Sequence, residues 1–396
     1  MSDSVTEVTH QSWFGRMVNS VVGVVFGFLI YVGMFVLLFW NEGRAVKTHQ
    51  DLEEGKHRVV EAPVDRVDSQ FEGKLVHMVG PISTTETLRD EYQVQLNAIK
   101  LRRVVEMYQW TESKSTRTRK KVGGGETTET TYTYHREWVN HPVNSGSFHN
   151  KSHVNPGSFP VSNNTWIAGE VRFSAFRLSQ ELLQMVNNFE QLMLNREATP
   201  PAGFQRHEQG FYRGKDPNNA EIGDVRVHYE AVQPGPVSVI AAQRGDSFGP
   251  FTLDSGRKQE MLTVGEHTAE AMYEAAEKMN QLIAWALRGG GFLGMWIGLM
   301  MMARPLSVLF DVLPLFGNIV QWGTGAMAFV LAVVSAAIGI AVAWFFYHPL
   351  IAIVAVVAAI AIIWLVRMMF AGRARAAEVN QQFAPPPPPP PPMPAG

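Results

Sequence analysis

The sequence predicts a membrane protein with four transmembrane α-helices, one before and three after a large α+β domain that lies outside the membrane. Three observations support this fold class. The 396-residue chain has a mean hydropathy of −0.04, because a polar middle cancels two strongly apolar ends. Both ends contain charge-free runs long enough to cross a hydrocarbon core of about 30 Å. Segments of the middle alternate between polar and apolar residues, as half-buried strands do.

The first apolar run, residues 21–40, contains no charged residue. At 1.5 Å per residue, these roughly 20 residues cross the hydrocarbon core as a helix. A cleaved signal peptide would have a shorter apolar run, of about 7 to 15 residues, and a small-residue cleavage site. We therefore assign residues 1–16 to an N-terminal cytoplasmic segment and residues 17–40 to a retained first transmembrane helix.

The polar middle, residues 41–288, is the predicted α+β domain on the extracytoplasmic side, periplasmic or lumenal. Alternation predicts a long hairpin with an aromatic face, which carries Tyr108 and Trp110 on one strand and Tyr134 and Trp138 on the other. Periodicity also predicts helices over residues 42–55, 179–186 and 268–287, and strands over residues 224–232 and 237–243. Because the last of these helices leads directly into the membrane, we expect a rigid connection between domain and bilayer.

The second membrane segment, residues 289–303, is short and lies between Arg288 and Arg304. It would reach about 22 Å as a helix, so both arginines would have to extend toward the headgroups. We predict a short span, transmembrane helix 2, and leave a re-entrant segment as the alternative, which would give three spans. Asp311 is costly inside a bilayer, so we assign residues 304–318 to an interfacial loop.

Two further charge-free runs, residues 319–347 and 350–366, are the predicted third and fourth transmembrane helices. They are separated by His348 and Pro349, and proline cannot continue the preceding helix. With four spans both termini share one side, and the arginines near that side favour the cytoplasm. Residues 367–396 then form a basic, then polyproline, cytoplasmic tail. The run from Pro385 to Pro392 adopts polyproline II, either as a solvated spacer or as a ligand for a proline-recognising protein.

Composition excludes several functions. The net charge of −2 argues against nucleic acid as a partner. The absence of cysteine excludes thiolate catalysis and cysteine-ligated metals, and we expect neither a cofactor nor an enzyme, since no catalytic motif is present. Four histidines lie close together in a Pro-, Gly- and Asn-rich stretch that reads as loop, so we expect no metal there: His135, His141, His149 and His153.

Two groups of residues are candidates for contacts of the membrane region. Glycines four residues apart lie on one helix face and allow close helix packing, within the chain or in a homo-oligomer. They are Gly23, Gly27, Gly290, Gly294 and Gly298. Basic residues at the hairpin tip would attract anionic lipids or a partner if the tip reached a membrane, and would otherwise be solvated. They are Lys114, Arg117, Arg119, Lys120 and Lys121.

Several long motifs resemble the LUMA (transmembrane protein 43) family over nearly the whole chain. They are FWNEGRAVKT (39–48), KLRRVVEMYQW (100–110), YTY (132–134), His153 with Asn155-Pro156, IGDVRV (222–227), QRGD (243–246), and WFFY (344–347) with Pro349-Leu350. The resemblance implies a four-span protein without known enzyme activity. Animal members reside in the endoplasmic reticulum and inner nuclear membrane, organise complexes with emerin and lamins, and self-associate.

The expected function is therefore a non-enzymatic membrane scaffold that self-associates and organises membrane protein complexes. The alternative is an ion channel or transporter component, or a lipid sensor. This chain departs from the animal pattern in its polyproline tail, where a short basic end is usual, and in His348, where an arginine is usual. The preferred location is a bacterial inner membrane, with the endoplasmic reticulum or inner nuclear membrane as the alternative in a eukaryotic host.

Overall fold

Three long helices dominate the computed structural model, which describes residues 3–121, 124–311 and 314–347. The helices are α1 Trp13–Arg58, α2 Gln180–Met185, α3 Ala269–Phe310 and α4 Pro314–Tyr347. Three helical segments are long and apolar enough to span a membrane: Trp13–Arg58, Ala269–Phe310 and Trp322–Tyr347. The predicted fourth span, 350–366, and the tail, 367–396, lie outside the described residues, so the count of four stays a prediction.

The strands form two large sheets and two short hairpins. In chain order they are β1 Asp3–Gln11, β2 Val60–Glu61, β3 Leu75–Ser83, β4 Thr87–Arg89, β5 Gln95–Asn97, β6 Lys100–Lys120, β7 Glu126–Val139, β8 Asn164–Ile167, β9 Arg172–Phe173, β10 Phe176–Arg177, β11 Glu190–Gln191, β12 Gln205–His207, β13 Gly210–Arg213, β14 Val225–Val232, β15 Gly235–Arg244, β16 Ser247–Gly249, β17 Phe251–Thr252, β18 Lys258–Gln259 and β19 Met261–Val264.

The larger sheet has the order β1-β7-β6-β14-β13-β12, with β8 on β6 and β11 on β14. The second has the order β10-β9-β3-β15-β16, with β2 on β3 and β19 on β15. Their inner faces share one hydrophobic core, to which Val105 and Val227 contribute from the first sheet and Val76 and Val239 from the second. Leu182 of α2 is fully buried in this core, and Ser179 caps that helix through the Leu182 amide, as the sequence predicts.

A smaller cluster joins the domain to the helices. Leu75 and Ile240 of the second sheet pack with Met272 and Tyr273 of α3, and Leu52 of α1 packs against them. Both α1 and α3 pass without interruption from this cluster into their apolar segments. The predicted rigid connection between the domain and the membrane helices is therefore present.

Two boundaries differ from the sequence prediction. The α3 helix continues through Arg304 and Pro305 to Phe310, where an interfacial loop, 304–318, was predicted. Proline is accommodated there because it lies near the end of a 42-residue helix that neighbouring helices support. The short segment 289–303 is thus part of a longer helix, which removes the reason for a re-entrant segment.

The N-terminal segment also differs, because it contains a strand that the sequence analysis missed. Asp3–Gln11 forms β1, which pairs antiparallel with the tip half of β7 over nine residues. We call the three-stranded segment made of β1, residues 111–120 of β6 and residues 126–135 of β7 the ribbon. It consists mostly of Thr, Ser, Glu, Lys and Arg, and it extends roughly 30 Å at 3.4 Å per residue.

Candidate functional site at the two ends of the helix bundle

At one end of the bundle, a buried carboxylate joins three helices. Glu42 of α1 is 1% exposed and accepts two hydrogen bonds of 2.7 Å from the guanidinium of Arg288 on α3. The indole Nε1 of Trp344 on α4 donates to the same carboxylate at 3.1 Å. We call this group, with the neighbouring contacts described next, the membrane junction.

The residues next to Glu42 complete the junction. The Asn41 amide donates to the Ala284 carbonyl at 3.1 Å, and Arg44 donates to the Asn280 side chain at 3.0 Å. Gly43 lies so close to the Tyr347 ring that a Cβ atom would come within 2.4 Å of it. Each residue of the Asn-Glu-Gly-Arg motif therefore fixes α1 against another helix.

At the other end of the bundle, helix residues meet the ribbon. Asp311, 1% exposed, lies 2.7 Å from Arg16 of α1 and 2.7 Å from Lys120 of β6. Arg16, 4% exposed, also forms an ion pair of 2.9 Å with Glu126 of β7 and donates to the Gly124 carbonyl. We call these residues the tip cluster.

A tryptophan reinforces the tip cluster. The Trp13 indole Nε1 donates to the carbonyl of Val308 at 2.9 Å, which holds the start of α1 against the end of α3. The same ring lies against the hairpin turn, since a Cβ atom on Gly124 would come within 2.4 Å of it. Gly124 has a φ of +77°, so the turn requires glycine for its conformation as well as for space.

The two clusters are about one bilayer thickness apart. Along α1, Arg16 and Glu42 are separated by 26 residues, or roughly 39 Å at 1.5 Å per residue. Along α3, Arg288 and Asp311 are separated by 23 residues, or roughly 35 Å. The hydrocarbon core is about 30 Å thick, so the two clusters are far enough apart to lie at its two boundaries. Between them α1 carries no charged residue and α3 carries one, Arg304.

A cavity of about 820 Å³ lies between the ribbon and the helices, next to the tip cluster. The ribbon side includes Thr118 and Arg119, and the α3 side includes Ile297, Met300 and Arg304. Ile297 lies about 21 Å from Asp311 along the helix, so the ribbon runs beside the apolar part of α3 and touches more than its end. The sequence analysis placed the whole domain and the N terminus on opposite sides of the membrane. It did not predict that a part of the domain, the ribbon, would lie beside α3.

The five basic residues predicted at the hairpin tip have different surroundings. Lys120 belongs to the tip cluster and Arg119 lines the cavity. Lys114 lies over the ring of Tyr132, 5.6 Å from its centroid. Arg117 is exposed on the ribbon, and Lys121 is exposed directly after its β6 strand. The hairpin is long enough to reach the helices, where Lys120 contacts Asp311. Contact of these basic residues with anionic lipid or a partner stays a prediction.

The five glycines predicted to pack helices also have different surroundings. Gly27 and Gly298 lie against each other where α1 crosses α3, and a Cβ atom on either would come within 2.7 Å of the other's carbonyl oxygen. Gly294 lies against Met34. A Cβ atom on Gly23 or Gly290 would meet nothing within 4 Å. The first three positions therefore serve packing within the chain.

Two of the four histidines singled out from the sequence, His149 and His153, take part in aromatic contacts. His149 stacks on Tyr132 with centroids 4.2 Å apart, and His153 stacks on Tyr134 at the same distance. His153 is 5% exposed and lies 3.0 Å from the Asp3 carboxylate, which attaches the loop to β1. Among the described residues, no group of three or more potential ligands is placed to hold a metal ion.

A third charged group, with Arg103 and Asp90 buried, lies inside the domain. Arg103, 2% exposed, contacts Asp90 at 3.3 Å and Glu91 at 2.7 Å. The phenol of Tyr229 donates to Asp90 at 2.5 Å, and burial together with this hydrogen bond raises the Tyr229 pKa. The phenol therefore stays protonated at any physiological pH. We interpret this group as a structural network, since its members satisfy one another.

The comparisons with known proteins decide the family. The family model for transmembrane protein 43 matches residues 107–349. Transmembrane protein 43 of Mus musculus is 35% identical over 359 residues, which cover 87% of this chain and 90% of the relative. The Homo sapiens protein is 36% identical over 348 residues, 85% of this chain and 87% of the relative. This chain belongs to the transmembrane protein 43 family.

A more distant member of the transmembrane protein 43 family, the homolog of Drosophila melanogaster, is 30% identical over 340 residues, 83% of this chain and 89% of the relative. No solved structure matches. The family and these relatives are named as transmembrane proteins and not as enzymes. The resemblance inferred from the sequence motifs is therefore confirmed, whereas a bacterial origin is not tested by these relatives.

The geometry assigns physical roles to the family motifs. Residues 41–44 build the membrane junction, and Trp344 and Tyr347 of the WFFY motif contact it from α4. Asn155 accepts from the Trp110 amide at 2.8 Å and donates to the Trp110 carbonyl at 2.9 Å, so this side chain completes the free edge of β6. Sequence reasoning missed Arg16, Glu126 and Trp13 as site residues, because their partners are more than 100 residues away.

Proposed function

We propose that this chain is a non-enzymatic membrane scaffold that self-associates, with the ribbons of several copies facing one another and the apolar helices facing lipid. The observation that carries the proposal is that a polar ribbon and an apolar helix bundle occupy the same level of the molecule. These two surfaces need opposite surroundings.

The helices need lipid. Large apolar side chains cover the outer faces of the spans, among them Val25 and Phe28 of α1, which are 59% and 55% exposed, and Trp322 of α4, at 84%. Isolated exposed apolar residues are ordinary, but a continuous apolar surface about 30 Å long matches the hydrocarbon core of a bilayer.

The ribbon needs water or protein. Beyond Thr111, the edge of β6 that faces away from β7 pairs with no described strand, and neither does the outer edge of β1. In hydrocarbon, every unpaired backbone amide or carbonyl costs several kcal/mol, so open sheet edges do not face lipid. Copies that place their ribbons together would remove these edges from lipid and leave the helices outside.

A scaffold also needs a stiff link between its membrane and aqueous parts. The tip cluster and the cluster around Tyr273 hold the domain to the helices at two levels, and the membrane junction holds the helices to one another. Such an assembly would present rigid domains on one side of the membrane.

The run from Pro385 to Pro392, outside the described residues, would recruit a proline-recognising protein. The preferred location of the assembly remains a bacterial inner membrane.

Single cysteines test the arrangement, because the natural chain has none and any disulfide must join two copies. Thr116→Cys on β6 and Val8→Cys on β1 place thiols on exposed ribbon positions. Phe28→Cys is the matched control on the lipid-facing side of α1. After mild oxidation in native membranes, we expect dimers from both ribbon variants and few from the control. A monomeric mass in mild detergent, together with equal cross-linking at all three positions, would contradict the proposal.

The ribbon also favours the second candidate, an ion channel or transporter component, because an assembly with inward-facing ribbons would have a polar interior. Asp311, however, already contacts two cations, Arg16 and Lys120, which suits an anchor better than an ion-binding site. Ion flux through liposomes that contain the purified protein, altered by Asp311→Asn, would favour the channel. Co-purification of a protein that is lost on deletion of residues 385–392 would favour the scaffold.

A further inference from the structure

The cavity between the ribbon and α3 has two unlike walls. Ile297, Met300 and Met301 provide an apolar wall on α3, whereas Thr118 and Arg119 provide a polar wall on the ribbon. The lining extends about 15 Å along α3 and ends next to the tip cluster, where the helices end. Its ligand should therefore be apolar along most of its length and polar at one end.

The charges of the lining are unbalanced. Arg16 and Lys120 each contact a carboxylate, Asp311, and Arg16 contacts Glu126 as well. Arg119 and Arg304 also line the cavity, are exposed, and form no ion pair with any carboxylate in the described part of the chain. Two positive charges are thus available at the end of the cavity for an anionic group.

The apolar wall is open to the membrane. Ile297 and Met300 are 52% and 41% exposed, and Leu293, one turn before Ile297, is 49% exposed. These side chains continue the lipid-facing surface of α3 into the cavity. A chain of hydrocarbon from the surrounding leaflet can therefore enter sideways, without leaving an apolar environment.

We propose that this cavity binds one anionic phospholipid, with its phosphate between Arg119 and Arg304 and an acyl chain against Ile297 and Met300. Guanidinium groups bind phosphate through paired hydrogen bonds that are stronger than neutral ones. Basic pockets between helices at a membrane surface select anionic headgroups for the same reason. The volume, about 820 Å³, is within the range of ordinary ligand cavities, roughly 300 to 1,000 Å³.

A bilayer lipid has a partner for both walls of the cavity, whereas free phosphate has a partner only for the basic residues. Inorganic phosphate would pair with the two arginines and leave the apolar wall in contact with water. The lipid, by contrast, removes Ile297 and Met300 from water and fills the gap between a polar ribbon and an apolar helix. All of these residues belong to one chain, so the proposal does not depend on self-association.

Native mass spectrometry of the full chain, released from nanodiscs, tests the proposal. The nanodiscs contain phosphatidylglycerol and phosphatidylcholine in equal amounts, and the test variant is Arg119→Gln with Arg304→Gln. Its matched control is Lys114→Gln with Arg117→Gln, which removes the same charge from the same region outside the cavity lining. We expect wild type and control to retain phosphatidylglycerol preferentially, and the test variant to lose about tenfold or more in that preference, since each such contact contributes more than 1.4 kcal/mol.

A second variant separates the cavity from general surface attraction. Ala303→Phe places a ring in the lining without a change of charge. We expect it also to reduce lipid retention severalfold, and addition of inorganic phosphate to leave the retained lipid in place. Equal loss in test and control variants, unchanged retention in Ala303→Phe, or displacement by inorganic phosphate at low millimolar concentration would each overturn the proposal. Circular dichroism of every variant should match the wild type, because the four basic residues are exposed and Ala303 lines a cavity with room for a ring.

Discussion

The membrane junction and the tip cluster are both built around a buried carboxylate, but they connect different parts of the chain. Glu42 joins α1 to α3 and α4, so the junction holds helices to helices. Asp311 joins α1 and α3 to the ribbon, so the tip cluster holds the helices to a part of the aqueous domain. The difference indicates that the junction determines the stability of the bundle and the tip cluster determines where the ribbon lies.

The largest effect is expected at the junction. Glu42→Gln removes the charge that compensates Arg288 and weakens the contact with Trp344. Breaking one side of a buried ion pair costs about 3 to 5 kcal/mol, so the free energy of unfolding should fall by roughly that amount. Titration with a denaturing detergent, followed by tryptophan fluorescence, measures it. A change below about 1 kcal/mol would mean that the junction contributes little to the bundle.

A smaller and more local effect is expected at the tip cluster. Asp311→Asn leaves Arg16 with its contacts to Glu126 and Gly124, so the loss should be about 1.5 to 3 kcal/mol. Hydrogen exchange of residues 111–121 and 124–135 should become faster, while exchange in the helices near Glu42 should stay as in the wild type. Equal acceleration at both ends would show that the two clusters do not act separately.

The glycines at the helix crossing give the smallest of the three effects. Gly298→Val pushes a side chain against the carbonyl oxygen of Gly27, and such overpacking costs about 1 to 3 kcal/mol. Gly290→Val, on the same helix and with open space around it, is the matched control and should change the free energy of unfolding by less than about 0.5 kcal/mol. Equal destabilisation would indicate that helix propensity, rather than close packing, sets the effect.

The sequence predicted correctly those elements whose residue pattern lies within one short segment of the chain. The spans in α1 and α4, the hairpin of β6 and β7, and the capped helix α2 follow from hydropathy, alternation and capping residues, and the structure agrees. The predicted end of the span in α3, residue 303, was wrong, because Arg304 and Asp311 were interpreted as the limits of the helix. In the fold, Asp311 is compensated by two cations from distant parts of the chain, and Arg304 is an exposed residue of the cavity lining.

The candidate site was harder to predict for the same reason. The basic tip residues were recognised from composition, but their partners were not, because Lys120 and Asp311 are 191 residues apart. The strand β1 was missed since a nine-residue polar edge strand has a weak signal without its partner. In the structure β6 has 21 residues, and those that reach the hydrophobic core, Leu101, Val105 and Met107, all lie in its first half.

The central claim, that the ribbon tip lies at the ends of the membrane helices, is tested most directly by zero-length cross-linking in intact membranes. A lipophilic carbodiimide should join the amine of Lys120 to the carboxylate of Asp311, which are 2.7 Å apart, and peptide mass spectrometry should identify the amide. Lys56 and Glu270, an exposed pair 3.4 Å apart at the far end of the bundle, report that the reaction has worked. A bond between Lys56 and Glu270 without one between Lys120 and Asp311 would contradict the account.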